Sequence, residues 1–191
     1  MTTHGPVVVV IRHGQTAWSA SGRHTGRTDI PLNETGEAQA RALRERLAGR
    51  EFALVLCSPL VRSVRTAELA GLTGVQLDPD LMEWDYGECE GRTTDEIRQD
   101  LPGWTIWDGP VPGGETIDQV AERADRVVAR VQALAAATTV ALVGHGHILR
   151  VLAARWIGDP PQTGRSLALE VGTLSELGWE HETAVIQRWN F

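Results

Sequence analysis

The apolar positions of this chain fall into short runs and longer stripes. Val7–Ile11 and Phe52–Cys57 carry no polar residue, and Thr139–Val143 carries only Thr139. Runs of this length read as strands covered on both faces, as in the middle of an α/β sheet. Between them the spacing turns helical. Glu34–Ala48 puts Ala40, Leu43 and Leu47 on one face, with Gly49 as a stop. Thr116–Ala136 is the clearest stripe, with Ile117, Val120, Ala124, Val127, Val128, Val131 and Leu134 in register and a Glu122–Arg126 pair one turn apart. Pro59–Ala70 predicts a helix with Ser58 as N-cap and Pro59 in its first position. Thr93 and Glu96 form a capping box that opens a short helix. Ile148–Trp156 predicts another. Val75–Leu77 reads as a short strand, and Leu167–Val171, Leu174–Trp179 and Thr183–Trp189 alternate as terminal strands. Trp18–Arg27 and Leu101–Gly114 read as loops, the second with three prolines and four glycines. The pattern predicts one α/β domain over residues 1–191. It is a three-layer α/β/α sandwich with a mostly parallel sheet and an antiparallel edge.

Composition narrows the functional classes. A chain of 191 residues with 42% apolar and 23% charged content fits one globular domain. Its net charge of −7 argues against a nucleic-acid or acidic-membrane surface. All eighteen basic residues are arginine, which excludes Schiff-base lysine chemistry and the P-loop. Cys57 and Cys89 are too few for a disulfide framework, so a reducing cytoplasm is the expectation and both are expected to be buried thiols. No N-terminal signal peptide and no run of membrane-span length is visible.

The candidate chemistry lies at the strand ends. Arg12-His13-Gly14 closes the first run, and ligands of open α/β sheets bind beyond such ends. Arg62 falls in the first turn of a helix, where a cation is disfavoured; a bound anion or plain solvation would each account for it. His145 follows the Thr139–Val143 run. Covalent phosphoryl transfer needs a neutral nucleophile, cations on the oxygens and an acid for the leaving oxygen. His13 can attack phosphorus, with nearby arginines lowering its pKa. Arg12 and Arg62 can grip oxygens in forked geometry, and His145 can donate a further hydrogen bond. The helix from Gly146 adds backbone donors. His145 and His147 lack the companion carboxylates a metal site would need, so no metal is expected. On the residues alone Glu83 reads as a solvated loop carboxylate, and His4 and His181 as surface residues.

Arg12-His13-Gly14-Gln15-Thr16 resembles the signature of the histidine phosphatase superfamily, the phosphoglycerate mutase-like group. His24-Thr25-Gly26, Ser58–Ala67, Glu83–Gly87 and Gly144–His147 match in the family's order and spacing. The resemblance implies that His13 is the phosphorylated nucleophile and Glu83 the general acid and base. It implies a phosphate pocket of Arg12, Arg62 and His145, extended toward the substrate by Gln15, Ser19, Thr25, Gly26, Gly146 and His147. The wording is most similar to small phosphatases, including acid and sugar-bisphosphate phosphatases. Trp18-Ser19 stands where the mutases have tryptophan-asparagine, and Arg92–Gly114 is shorter than their insertion and lacks its arginine pair. The expectation is a metal-independent, cofactor-free phosphomonoesterase acting on a small phosphorylated metabolite through a phosphohistidine. A 2,3-bisphosphoglycerate-dependent mutase is the alternative, and a non-catalytic phosphate-binding module a third. A homodimer is compatible with the sequence, which does not fix the oligomeric state.

Overall fold

The first strand shows how the layers arise. Successive side chains of a strand point to opposite faces. In β1 (Val7–Arg12), Val8 and Val10 therefore enter one core, and Val9 and Ile11 the other. The same division runs through β2 (Leu54–Cys57) and β4 (Thr139–Gly144): Leu56, Val140 and Leu142 face one way, Val55, Cys57, Ala141 and Val143 the other. In the computed structural model, which describes residues 5–191, helices cover both faces. α2 (Glu34–Leu47) and α3 (Val61–Leu69) pack on the Val9–Ile11 side, and α5 (Ile117–Gln132) and α6 (Gly146–Trp156) on the Val8–Val10 side. His4 lies outside the described residues.

The sheet has six strands in the order β3-β2-β4-β1-β5-β6. β3 (Val75–Leu77), β2, β4 and β1 are parallel; β5 (Leu174–Glu180) and β6 (Thr183–Arg188) add an antiparallel margin. The expected α/β/α sandwich is thus observed, with two antiparallel strands at one side. The register of the parallel strands brings their ends level. Arg12 pairs with Gly144, and Cys57 with Val143, so His13, Ser58 and His145 leave the sheet together.

Several predicted elements shift. Leu167–Val171 is not a strand: after a 3₁₀ turn at Pro161–Ser166 it crosses the end of β1, and the Leu169 carbonyl accepts from Arg12 Nη1. Helix α3 starts at Val61 rather than Pro59, and Ser58 does not cap it; Asp29 Oδ1, from a distant loop, accepts the Val61 N–H at 2.8 Å. Arg126 turns from Glu122 to Asp80, which it holds with two bonds of 2.9 and 2.6 Å. The loop after His13 contains one helical turn, α1 (Ala17–Ala20), capped by Thr16. The capping box at Thr93 forms as expected and opens α4 (Thr94–Asp100). Both cysteines are free and buried. Among the described residues, no helix is long and apolar enough to cross a membrane.

Candidate active site

Beyond the C-terminal ends of β1 and β4 lies a cavity of about 190 Å³. Arg12, His13, Ser19, Thr25, Glu83, Gly146 and His147 line it, joined by Arg23, His24, Tyr86 and Arg150. Three hollows are larger, two of about 480 and 660 Å³ around Arg50–Phe52 and one of about 320 Å³ beside Trp104, and none gathers a histidine. Charge and titratable groups concentrate in the smaller one.

His13 is 4% exposed. Its Nδ1 lies 2.7 Å from the Gly14 carbonyl, which can only accept, so Nδ1 carries the proton and Nε2 keeps its lone pair. Burial is the first cause holding the His13 pKa well below the usual histidine range, followed by the charges of Arg62 and then Arg12. The arginine effect expected from the sequence is therefore real but secondary to desolvation.

The two strand-end arginines differ. Arg12 Nε has no hydrogen-bond partner among the described residues, which leaves a buried donor beside the cavity. It fits close under the start of α6: a Cβ on Gly146 would sit 3.2 Å from Arg12 Cζ. Arg62 is fully buried and does not line the cavity. Its Nε donates to His145 Nδ1 at 3.0 Å, Nη1 to the Thr28 carbonyl at 3.0 Å, and Nη2 to the Thr25 and Gly26 carbonyls at 3.2 and 2.9 Å. Four of its five N–H groups are thus engaged.

His145 lies one layer below the cavity, its ring centroid 5.0 Å from that of His13. Because Nδ1 accepts from Arg62, Nε2 bears the proton and donates to Ser58 Oγ at 2.7 Å, with Ser63 Oγ at 3.2 Å. Burial, then Arg62 and His13, hold its pKa well below the usual range. Gln15 and Gly26 also stay out of the cavity. Gln15 is tied to α2, its N–H bonding Gln39 and its side-chain oxygen accepting from Asn33. Gly26 supplies a carbonyl to Arg62, and its N–H goes to Glu90.

Glu83 is not the solvated loop carboxylate that its sequence context suggests. It is 4% exposed and accepts three backbone N–H groups at 2.9 Å, from Trp84, His147 and Ile148. Two of those donors are the otherwise uncapped start of α6, where His145 provides no side-chain cap. No Ser, Thr, Asp or Asn stands at the start of that helix, so its first N–H groups need an acceptor from elsewhere in the chain, and nothing in the sequence pattern says which. His147 Nδ1 is 2.6 Å from the Tyr86 hydroxyl and 4.0 Å from Glu83 Oε2. Burial pushes the Tyr86 hydroxyl well up and the His147 ring well down, so both are neutral.

Arg23, His24, Tyr86 and Arg150 complete the wall and are not among the site residues expected from the sequence. Arg150 lies four residues after Gly146 on α6 and stacks over Trp107 at 4.7 Å. No cluster of three His, Cys, Asp or Glu side chains able to hold a metal occurs among the described residues.

The family model of the histidine phosphatase superfamily (branch 1) matches residues 8–191. The chain belongs to this superfamily. An acid phosphatase of Mycobacterium tuberculosis is 40% identical to this chain over 176 residues, covering 91% of this chain and 87% of the relative. A sedoheptulose 1,7-bisphosphatase of Saccharomyces cerevisiae is 34% identical over 185 residues, covering 80% and 68%. Among solved structures, a Mycobacterium tuberculosis open-reading-frame product superposes on this chain with a TM-score of 0.91 at 37% identity, with 97% of each chain covered.

Proposed function

We propose that this protein is a phosphatase that hydrolyses the monoester of a small phosphorylated metabolite through a phosphohistidine, without metal. The observation that carries the reading is the state of His13: buried, neutral, its proton fixed on Nδ1 and its Nε2 free beside an unpartnered Arg12 donor. In the first step Nε2 attacks phosphorus and the bond from phosphorus to the leaving oxygen breaks. Glu83, protonated, gives its proton to that oxygen. In the second step water attacks phosphorus and the P–N bond breaks. Glu83 takes the water proton, phosphate departs, and His13 returns to its neutral form. Arg12 supplies directed donors to the phosphoryl oxygens. Arg62 supplies positive charge and one remaining N–H, and holds His145 in place.

Hydrolysis is favoured over mutase chemistry by the segment after Glu83. Its two arginines bond away from the cavity: Arg92 to Asp100 and the Glu96 carbonyl, Arg98 to the Trp104 carbonyl. Neither lines the cavity. The acid phosphatase and bisphosphatase names support hydrolysis, while relatives 30–32% identical over 191 residues are named probable phosphoglycerate mutases, so the choice rests on this segment.

The test is a trapping experiment with chelator present throughout. Brief incubation with labelled phosphomonoesters should yield an acid-labile, base-stable phosphoprotein that is absent from a folded His13→Ala variant, whose turnover should also vanish. Near-normal turnover by His13→Ala would sink the mechanism.

A further inference from the structure

Arg123 is a costly residue where it stands. It sits on the buried face of α5 among Val120, Ala124 and Val127, and is 8% exposed. A buried guanidinium is seldom the best solution for stability, since apolar replacements of similar volume often do as well or better. All five of its N–H groups are used. Nη1 donates to the carbonyls of Asp80 and Met82 at 2.7 and 2.9 Å, and Nη2 to that of Glu83 at 3.4 Å. Nε and Nη2 grip the Glu115 carboxylate at 2.7 and 2.9 Å. Glu115 then reaches round the other side of the same segment. Its Oε2 accepts the Asp85 N–H at 2.9 Å, its N–H bonds the Asp85 carbonyl at 2.9 Å, and its carbonyl accepts from Trp84 Nε1 at 2.8 Å. Burial pushes the Glu115 carboxyl up, but the bond to Arg123 and the Asp85 N–H hold it below the usual range, so the pair is ionised.

Residues 80–85 contain Glu83 and form no strand or α-helix of their own around it. Without a ladder, the backbone there has to be fixed from outside. The α6 N-terminus fixes the carboxylate, and Arg123 with Glu115 fixes the chain that carries it. We propose that Arg123, paired with Glu115, is a positioning residue for Glu83: it sets the backbone on both sides of the acid so that the carboxyl proton lies in reach of the leaving oxygen. The proposal rests on the acid role of Glu83 in the proposed hydrolysis. Its energetic logic is that of orientation, where an error of about 1 Å can cost about 10²-fold in rate.

A purely structural role would slow every substrate alike. A positioning role for a general acid depends on the leaving group. An alkoxide needs the proton in the transition state and a nitrophenolate hardly does. The measurement is therefore the single-turnover rate of His13 phosphorylation by an alkyl phosphate and by p-nitrophenyl phosphate, per active site counted from the burst. Glu83→Gln is the reference and should slow the alkyl phosphate about 10²–10⁴-fold and the nitrophenyl ester far less. Arg123→Met should slow the alkyl phosphate about 10–10²-fold and the nitrophenyl ester less than about 3-fold. Arg123→Lys, which keeps the charge but not the fork, should recover part of the loss. In the double variant with Glu83→Gln, Arg123→Met should cost nothing further. Should Arg123→Met fail to fold, Arg123→Lys and Glu115→Gln give the same comparison. Equal slowing of both esters by the Arg123 and Glu115 variants, beside a selective Glu83→Gln, overturns the positioning role and leaves the acid role standing. A Glu83→Gln variant without selectivity overturns the acid role, and this proposal with it.

Discussion

Ser58 shows what a single residue can conceal. Serine followed by proline after a buried strand is a strong helix-start pattern. Here its hydroxyl instead receives the His145 Nε2 proton at 2.7 Å, and the helix begins three residues later under a cap lent by Asp29. Ser58→Ala leaves that proton with Ser63 alone, at 3.2 Å. Stability should fall by about 1 kcal/mol, measured as a shift in denaturant midpoint. Turnover should fall with it, because the ring packed 5.0 Å from His13 gains freedom. Helix content should stay unchanged, which a lost cap would not allow. The strand-end residues Arg12, His13 and His145 were legible because they follow apolar runs whose pairing register carries them to one edge. Glu83 was not legible from the residues: no period or cap marks it, and its place is set by a helix more than sixty residues away in the chain. Only the family resemblance singled it out.

At the scale of elements, runs and stripes were read well, because strands covered on two faces and amphipathic helices have unambiguous periods. Leu167–Val171 failed for a physical reason. Its alternation is genuine, but its backbone groups go to side chains: the Leu169 carbonyl to Arg12, the Glu170 N–H to Asn190 and the Ala168 carbonyl to Trp189 Nε1. Those groups are therefore not available to a strand ladder. The crossing of α2 behind the His13 loop was equally invisible. Gly36, in the first turn of α2, lies so near the His13 loop that a Cβ would stand 2.0 Å from the Gln15 carbonyl oxygen. A Cβ on Gly14 would stand 2.3 Å from the Gly36 carbonyl oxygen. On propensity alone Gly36→Ala should stabilise a helix by up to about 1 kcal/mol. Steric overlap of backbone with backbone cannot relax cheaply, so the variant should instead lose about 1–3 kcal/mol and much of its activity, as residues 14 and 15 are pushed from α2. Thermal unfolding decides it by sign: a raised melting temperature would show that the crossing tolerates a side chain.

The whole molecule carries a net charge of −7, yet it gathers Arg12, Arg23 and Arg150 around one small cavity, with Arg62 buried against His145, and buries neutral histidines among them. That distribution, unlike the sheet, could not be read from composition, since it depends on which arginines fold inward. It has a consequence for acid stability. Burial holds His13, His145 and His147 well below 6.5, and His24 at about 4. In the unfolded chain these rings take up protons near 6.5. Below that pH the unfolded state therefore binds more protons than the folded one, and stability falls as pH falls. Each histidine adds a slope of up to about 1.4 kcal/mol per pH unit. The carboxylates that the fold holds low, Glu37, Asp80, Glu96 and Glu115, act in the same direction, but only once pH nears their ordinary values of 3.8 to 4.5. Between about pH 6 and pH 5 the loss belongs mainly to the histidines. Urea midpoints taken across that range should drop steadily. His24→Gln, which removes one ring from the cavity wall without touching His13 or Glu83, should make the drop shallower by about one proton's worth of slope. A flat profile from about pH 6.5 to 5 in the wild-type protein would mean that the buried rings accept protons in the folded state, so that burial does not hold His13 neutral through that range.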